Sequence, residues 1–223
     1  MNQPLFEDRA EAGAHLSARL ADFEDKKDTV VLGLPRGGVV VAATVAKALN
    51  LPLEVLIARK IGAPGDPEFA IGAVGEGGEV VLAPDAARRA AEGDIARAVE
   101  RELREAKRRV RRFRGRRKLD LRGKTVILVD DGVATGHTMA AAIRHARALA
   151  AREVVVAAPV IAAREMERLA SEADRVVCVE APDRFGAVGG FYAEFPQIED
   201  EEVADLLRGK NGPPSAALWL AVL

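Results

Sequence analysis

Cysteine and aromatic side chains are scarce in these 223 residues, which hold one Cys, one Trp, one Tyr and seven Phe. With Cys178 alone, the chain can close no internal disulfide and offers no thiolate zinc cluster. Cys178 lies inside the apolar run 176–179, so it reads as a buried strand residue rather than a nucleophile. No apolar run approaches the ~20 residues needed to span a bilayer. The stretch Met1–Arg9 has acids early and no apolar core, unlike a secretory signal. A cytoplasmic protein without a membrane partner is therefore expected. Lysine plus arginine, 33 in all, nearly balance 34 acids, so the whole chain exerts no general pull on nucleic acid. Internal repeats and a Ser/His/Asp arrangement are missing too.

The densest local pattern is Val126–Thr138, reading VILVDDGVATGHT. Four apolar, mostly β-branched residues fit a strand buried on both faces of a parallel sheet. Asp130 and Asp131 follow where the strand must leave the core. Gly132 and Gly136 then allow a tight turn, and the Ala-rich run 139–151 reads as a helix. Unpaired N–H groups at a helix start, with the dipole behind them and the Thr135 and Thr138 hydroxyls beside them, attract a phosphate. The two carboxylates would repel that phosphate but can accept hydrogen bonds from sugar hydroxyls, or help position a hydrated Mg²⁺ through water. A sugar phosphate suits the loop.

These thirteen residues resemble the signature of the type I phosphoribosyltransferases. The resemblance implies that Asp130 and Asp131 hold the ribose hydroxyls of phosphoribosyl pyrophosphate (PRPP), and that Ala134, Thr135, Gly136, His137 and Thr138 hold its 5-phosphate. The 6-oxopurine members carry an acid where this chain has Ala134, so the resemblance speaks against hypoxanthine or guanine as acceptor. His137 stands where some members have Lys or Gly, and when protonated its ring could donate to the phosphate.

Two further loops fit the same ligand. The reading places a strand over 29–34, ending in Pro35-Arg36-Gly37-Gly38 before a helix at 39–49. Arg36 can pair with phosphate as a planar fork, and in the family this place binds pyrophosphate. A strand over 53–58 leads to Arg59-Lys60 and then a Gly/Pro-rich passage 61–67, which suggests an anion site beside a closing loop. It is similar to the Arg-Lys-Pro-Gly passage of adenine phosphoribosyltransferases, whose basic residues meet pyrophosphate. Segments 69–74 and 79–82 suit a hairpin. Residues 86–114 read as a helix with a basic end, 108–118, which suits a solvated face better than an RNA strip.

Strands over 153–162 and 175–180 with an intervening helix at 164–172 complete the alternation of a doubly wound parallel sheet. The expected division is a core over 1–180, with a helical insertion near 84–118, and a hood-like appendage over 181–223. That appendage holds most of the aromatic residues, among which Phe185 and Tyr192 are candidates to stack on an acceptor base. The apolar end 216–223 could cover the core or meet a second subunit in a homodimer. Phe6-Glu7-Asp8-Arg9, Leu34–Gly38, Arg59–Gly62, Ala70–Ala73 and Phe191–Phe195 together resemble a bacterial subgroup of phosphoribosyltransferases without an assigned acceptor.

The implied activity is Mg²⁺-dependent transfer of ribosyl 5-phosphate from PRPP to a nitrogen acceptor, a nucleobase above all, with release of pyrophosphate. Arg36 and Lys60 would steady the leaving group, and Asp130 and Asp131 the sugar. A regulator of the same fold, sensing PRPP or a nucleotide and acting through RNA or a protein, is the alternative. Replacing Asp130 and Asp131 together by Asn is expected to abolish PRPP affinity, measured by calorimetry, with the fold retained.

Overall fold

The structure, a computed structural model, describes residues 4–63, 66–86 and 90–209. Pro64, Gly65, Trp219 and the apolar stretch 216–223 lie outside the described residues. The element order is α1 (Arg9–Arg19), β1 (Thr29–Gly33), α2 (Gly37–Ala48), β2 (Leu53–Val55), β3 (Ala58–Ala63), β4 (Asp66–Gly75), β5 (Val80–Leu82), α3 (Glu92–Arg114), β6 (Thr125–Val129), α4 (His137–Ala148), β7 (Glu153–Val160), α5 (Ala163–Glu172), β8 (Arg175–Glu180) and α6 (Asp200–Leu207).

A parallel sheet in the order β2-β1-β6-β7-β8 forms the centre, as the alternation of elements predicts. Successive side chains on a strand point to opposite faces, and here both faces are dry. Val30, Leu32, Val126 and Leu128 face Met139 and Ile143 of α4 and Leu169 of α5. Val31, Ile127, Val129 and Val155 face Leu16 and Leu20 at and just beyond α1 and Val41 and Val45 of α2. A doubly wound core therefore follows from uninterrupted β-branched runs. The Asp8 side chain caps α1 by accepting from Ala10 N at 2.7 Å and Glu11 N at 2.9 Å.

One strand assignment needs correction. Residues 53–58 are not a single strand: β2 stops at Val55, and β3 starts a separate antiparallel sheet, β3-β4-β5. The apolar run continues through the bend because Leu56 and Ile57 are fully buried at the corner, in two different clusters. Ile57 N donates to Glu76 Oε2 at 2.9 Å, which satisfies the backbone where it leaves the ladder. Arg59 and Lys60 consequently sit inside β3 rather than at the end of a core strand. The β4–β5 hairpin forms as expected.

Helix α3 lies against both sheets. Ile95, Val99 and Leu103 pack on Ile61, Ile71 and Val74, while Phe113 and Val110 meet Val55, Ile57 and Val203. Its basic end has acidic neighbours. Arg108 Nε donates to Glu105 Oε2 at 2.7 Å and its Nη2 to Asp200 Oδ2 at 3.5 Å, and Arg112 pairs with Glu201. No helix among the described residues is long and apolar enough to cross a membrane.

A buried ionic cluster fastens the hairpin to the core. His145 of α4 lies with Nδ1 3.0 Å from Glu79 Oε1 and Nε2 3.5 Å from Glu76 Oε1, and Glu76 also pairs with Arg114 of α3. Desolvation disfavours the imidazolium, but the neighbouring Glu76 and Glu79 carboxylates outweigh it and raise the His145 pKa above the ordinary 6.5. For Glu76 desolvation likewise opposes charge, yet His145 and Arg114 hold its pKa below the ordinary 4.5. The His145 contribution is complete below pH 6.5 and disappears as pH climbs through its folded value. The Glu76 contribution is complete above pH 4.5 and disappears as pH falls through its folded value. The cluster should therefore support the fold most between those limits. Thermal unfolding followed against pH should show the wild type losing stability above pH 6.5 relative to His145→Gln, whose profile is flatter there.

Candidate functional site

Strands β1 and β6 are neighbours that end together, with Gly33 opposite Val129 and Leu34 N donating to Val129 O at 2.8 Å. The loops leaving them start side by side. From β1 comes Pro35–Gly38, whose Pro35–Arg36 peptide bond is cis. From β6 comes Asp130–Gly136. A methyl group on Gly37 would overlap the Asp131 carboxylate, and one on Gly38 would stand 2.8 Å from Asp130 Cα and from Val129 O. Glycine is what lets the first loop pass over the acids of the second.

Within the acid pair, Asp131 N donates to Asp130 Oδ1 at 2.9 Å. Arg9 Nε donates to Asp131 Oδ2 at 2.8 Å, forming a largely buried ion pair. Burial, and then the charge of Asp131, push the Asp130 carboxyl above the ordinary carboxylate range. Asp130 lines a cavity of about 160 Å³ together with Gly132, Ala134, Thr135, Gly136 and Thr138. Helix α4 begins at the rim of this cavity. Gly136, at φ +63°, is its N-cap, and no side chain caps the first turn. A phosphate at that point would meet free backbone donors and the positive end of the helix.

The structure thus brings together Arg36–Gly38, Asp130, Asp131 and the 134–138 loop, and places other expected residues elsewhere. Arg59 Nη2 and Nε donate to Glu102 Oε2 of α3 at 2.9 and 3.2 Å. Lys60 lies beside it in β3, opposite Ala73. Arg36 Nη1 is 3.5 Å from Glu199 Oε2 at the start of α6. The His137 ring does not line the 134–138 cavity. It lines a second one, about 430 Å³, between β5, α4 and α5, beside Arg164 and Arg168. Desolvation, and then the Arg168 charge, lower its pKa from the ordinary 6.5, which disfavours a charged donor there. Only its place in the first turn of α4 remains relevant.

Of the two aromatic candidates, Tyr192 needs correction as a stacking surface. Tyr192 is 5% exposed and its hydroxyl donates to Asp131 O at 2.5 Å, with its ring against Phe6 and Phe195. It supports the acid loop and has no free face for a base. Phe185 packs on Phe191, with centroids 4.9 Å apart. Reading the sequence alone overlooks Arg9, Val188 and Glu199. Arg9 belongs to the Phe6–Arg9 motif, and its one signal is a cation beside the N-cap of the first helix. Val188, which lines the cavity and abuts Gly132, carries no sequence signal.

A family model described as the phosphoribosyl transferase domain matches residues 6–196. Two proteins of Mycobacterium tuberculosis, from strains H37Rv and CDC 1551, each with a provisional phosphoribosyl transferase name, are 48% identical over 206 residues. The alignments cover 91% of this chain and 46% of theirs, so the chain spans about half the length of the curated relatives it matches. The crystal structure of TT1426 from Thermus thermophilus is 47% identical, covers 91% of this chain and 97% of its own, and superposes with a TM-score of 0.74. The AQ2163 protein of Aquifex aeolicus, at 12% identity, TM-score 0.50 and 81% and 76% coverage, shares the fold alone.

The ion pair revises the expectation that replacing both acids spares the fold. Asp131→Asn leaves the buried Arg9 beside a neutral amide and should cost about 3 kcal/mol. Asp130→Asn, at a carboxyl already pushed toward its neutral form, should cost under about 1 kcal/mol. Urea denaturation of the two single variants measures both.

Proposed function

The chain belongs to the phosphoribosyl transferase domain family, and from that premise we propose that it transfers ribosyl 5-phosphate from PRPP to a nitrogen acceptor and releases pyrophosphate. The observation that carries this reading is the contact of the Arg36–Gly38 loop with the acid pair, directly beside the uncapped start of α4. Three groups of one ligand, a phosphate, a sugar diol and a diphosphate, would need this spacing of donors, acceptors and cation. In this proposal the first-turn amides of α4, with the Thr135 and Thr138 hydroxyls, hold the 5-phosphate. Asp130 and Asp131 face or support the ribose, and Arg36 takes the pyrophosphate, with Lys60 reaching it from β3.

Breaking the anomeric bond leaves positive charge on the sugar and negative charge on the leaving diphosphate. Arg36 would move from Glu199 to that charge. An exposed pair at 3.5 Å is weak and its loss costs little. Among the described residues no group of three His, Cys, Asp or Glu is placed to hold a metal ion. The donor set therefore suits a Mg²⁺ held chiefly by the oxygens of PRPP and by water, with Asp130 beside it. When bound, the ion would neutralise part of the diphosphate charge. The nucleobase acceptor, the hood role of 181–223 and a homodimer belong to the same proposal, as does closure of the passage 61–67, whose residues 64 and 65 lie outside the described residues and whose 61–63 and 66–67 belong to β3 and β4. The regulatory alternative draws less support, because Arg108 and Arg112 of the basic stretch already face acids of α6.

Calorimetric titration of Mg²⁺-PRPP tests the proposal. Saturable binding by the wild type is expected, weakened by Asp130→Asn at least tenfold, about 1.4 kcal/mol. Pyrophosphate release with a panel of bases then identifies the acceptor. A folded wild type that takes up no PRPP would overturn the reading.

A further inference from the structure

Arg9 is buried, 6% exposed, and is held from three sides. Its Nε donates to Asp131 Oδ2 and its Nη1 to Pro196 O, both at 2.8 Å, and its guanidinium lies over the Phe195 ring, 3.7 Å from the centroid. Such a planar fork, engaged at two edges and one face, has little freedom to turn. The carboxylate it grips is not the one at the cavity wall. Asp130 lines the cavity beneath the α4 start, whereas Asp131 is turned toward Arg9 and lies against Gly37. The two acids thus have different neighbours.

We propose that Arg9 is a positioning residue that fixes the Asp131 carboxylate beneath the Arg36–Gly38 loop, so that the acids divide their work: Asp130 meets the sugar hydroxyls, and Asp131 holds the diphosphate loop in register. The inference rests on the reading above that the site takes PRPP, and concerns how this chain prepares for it. Burial and the charge of Asp131 push the Asp130 carboxyl up, and the Arg9 charge acts the other way. Arg9 supplies that charge, its Nε standing 2.8 Å from where a methyl group on Gly37 would lie. Without it, Asp131 is free to rotate toward Asp130 and the cavity, and the loop above it loses its fixed support.

The experiment is calorimetric binding of Mg²⁺-PRPP across pH 5 to 9, on wild type, Arg9→Gln, Arg9→Lys, Asp131→Asn and the Arg9→Gln/Asp131→Asn double variant. Each is first checked for a cooperative thermal transition. Arg9→Gln should bind on the order of tenfold more weakly, the loss that follows removal of one partner of a buried charge pair. The acid limb of its binding profile should move to higher pH, because the acids lose a neighbouring cation; a merely structural role would leave that limb in place. Arg9→Lys should recover part of the affinity, keeping the charge without the fork. In the Asp131→Asn background, removing Arg9 should cost nothing further. Should Arg9→Gln fail to fold, Arg9→Met, neutral and of similar length, carries the same comparison of affinity and acid limb. Additive losses in the double variant, or an unmoved acid limb in a folded neutral Arg9 variant, would overturn the inference while leaving PRPP binding intact. Absence of binding by the folded wild type would instead overturn the PRPP reading, and this inference with it.

Discussion

Two adjacent parallel strands end at the same level, and the loops that leave them must cross within van der Waals contact. Much of the candidate site follows from that crossing. Gly37 and Gly38 have to lack side chains because the space is filled by Asp131, Asp130 Cα and Val129 O. The acids have to follow Val129 at once because that is where β6 meets the β1 loop. Helix α4 then starts with its amides beside the same crevice, since five residues of loop after Asp131 suffice to turn the chain back onto the sheet. Ligands gather at the carboxyl ends of strands in such sheets, and here two of those ends supply nearly all the candidate groups.

Much of this is legible in the sequence because local chemistry dictates it. A β-branched run, two acids and a Gly/Thr loop can hardly be anything but strand, strand end and helix start. Gly-Gly after Arg36 likewise marks a close approach, though not what is approached. Legibility fails where burial rather than pattern decides. Leu56 and Ile57 continue an apolar run, so the bend between β2 and β3 leaves no trace in hydropathy, and Arg59 is misplaced with it. Tyr192 reads as a free ring because nothing in its neighbourhood reveals that its hydroxyl reaches Asp131 O, 61 residues away in the chain. Arg9 is hidden for the same reason, its partner being 122 residues distant.

Charge distribution shows a similar split between local and distant causes. The basic end of α3 contains its own answer in part, since Glu105 lies three and four residues before Arg108 and Arg109 and bonds both. The other part comes from α6, whose Asp200 and Glu201 approach from more than eighty residues on. Such exposed pairs add little stability one by one. Together they offset part of the positive charge that Arg108, Arg109 and Arg112 put at the end of the helix.

The early segment 5–7 and the late segment 191–194 are joined by backbone hydrogen bonds, Leu5 N and Phe6 N to Phe191 O, Ala193 N to Phe6 O and Glu194 N to Glu7 O, at 2.8 to 3.0 Å. Arg9 and Tyr192, the two residues that grip Asp131, sit on opposite sides of this seam. Segments near the ends of a domain are usually the first to open, and usually at no cost to function. Here, local fraying of either segment releases a support of the acid pair while the sheet behind it stays intact. Amide exchange along the seam would then report how often the acid loop loses its support.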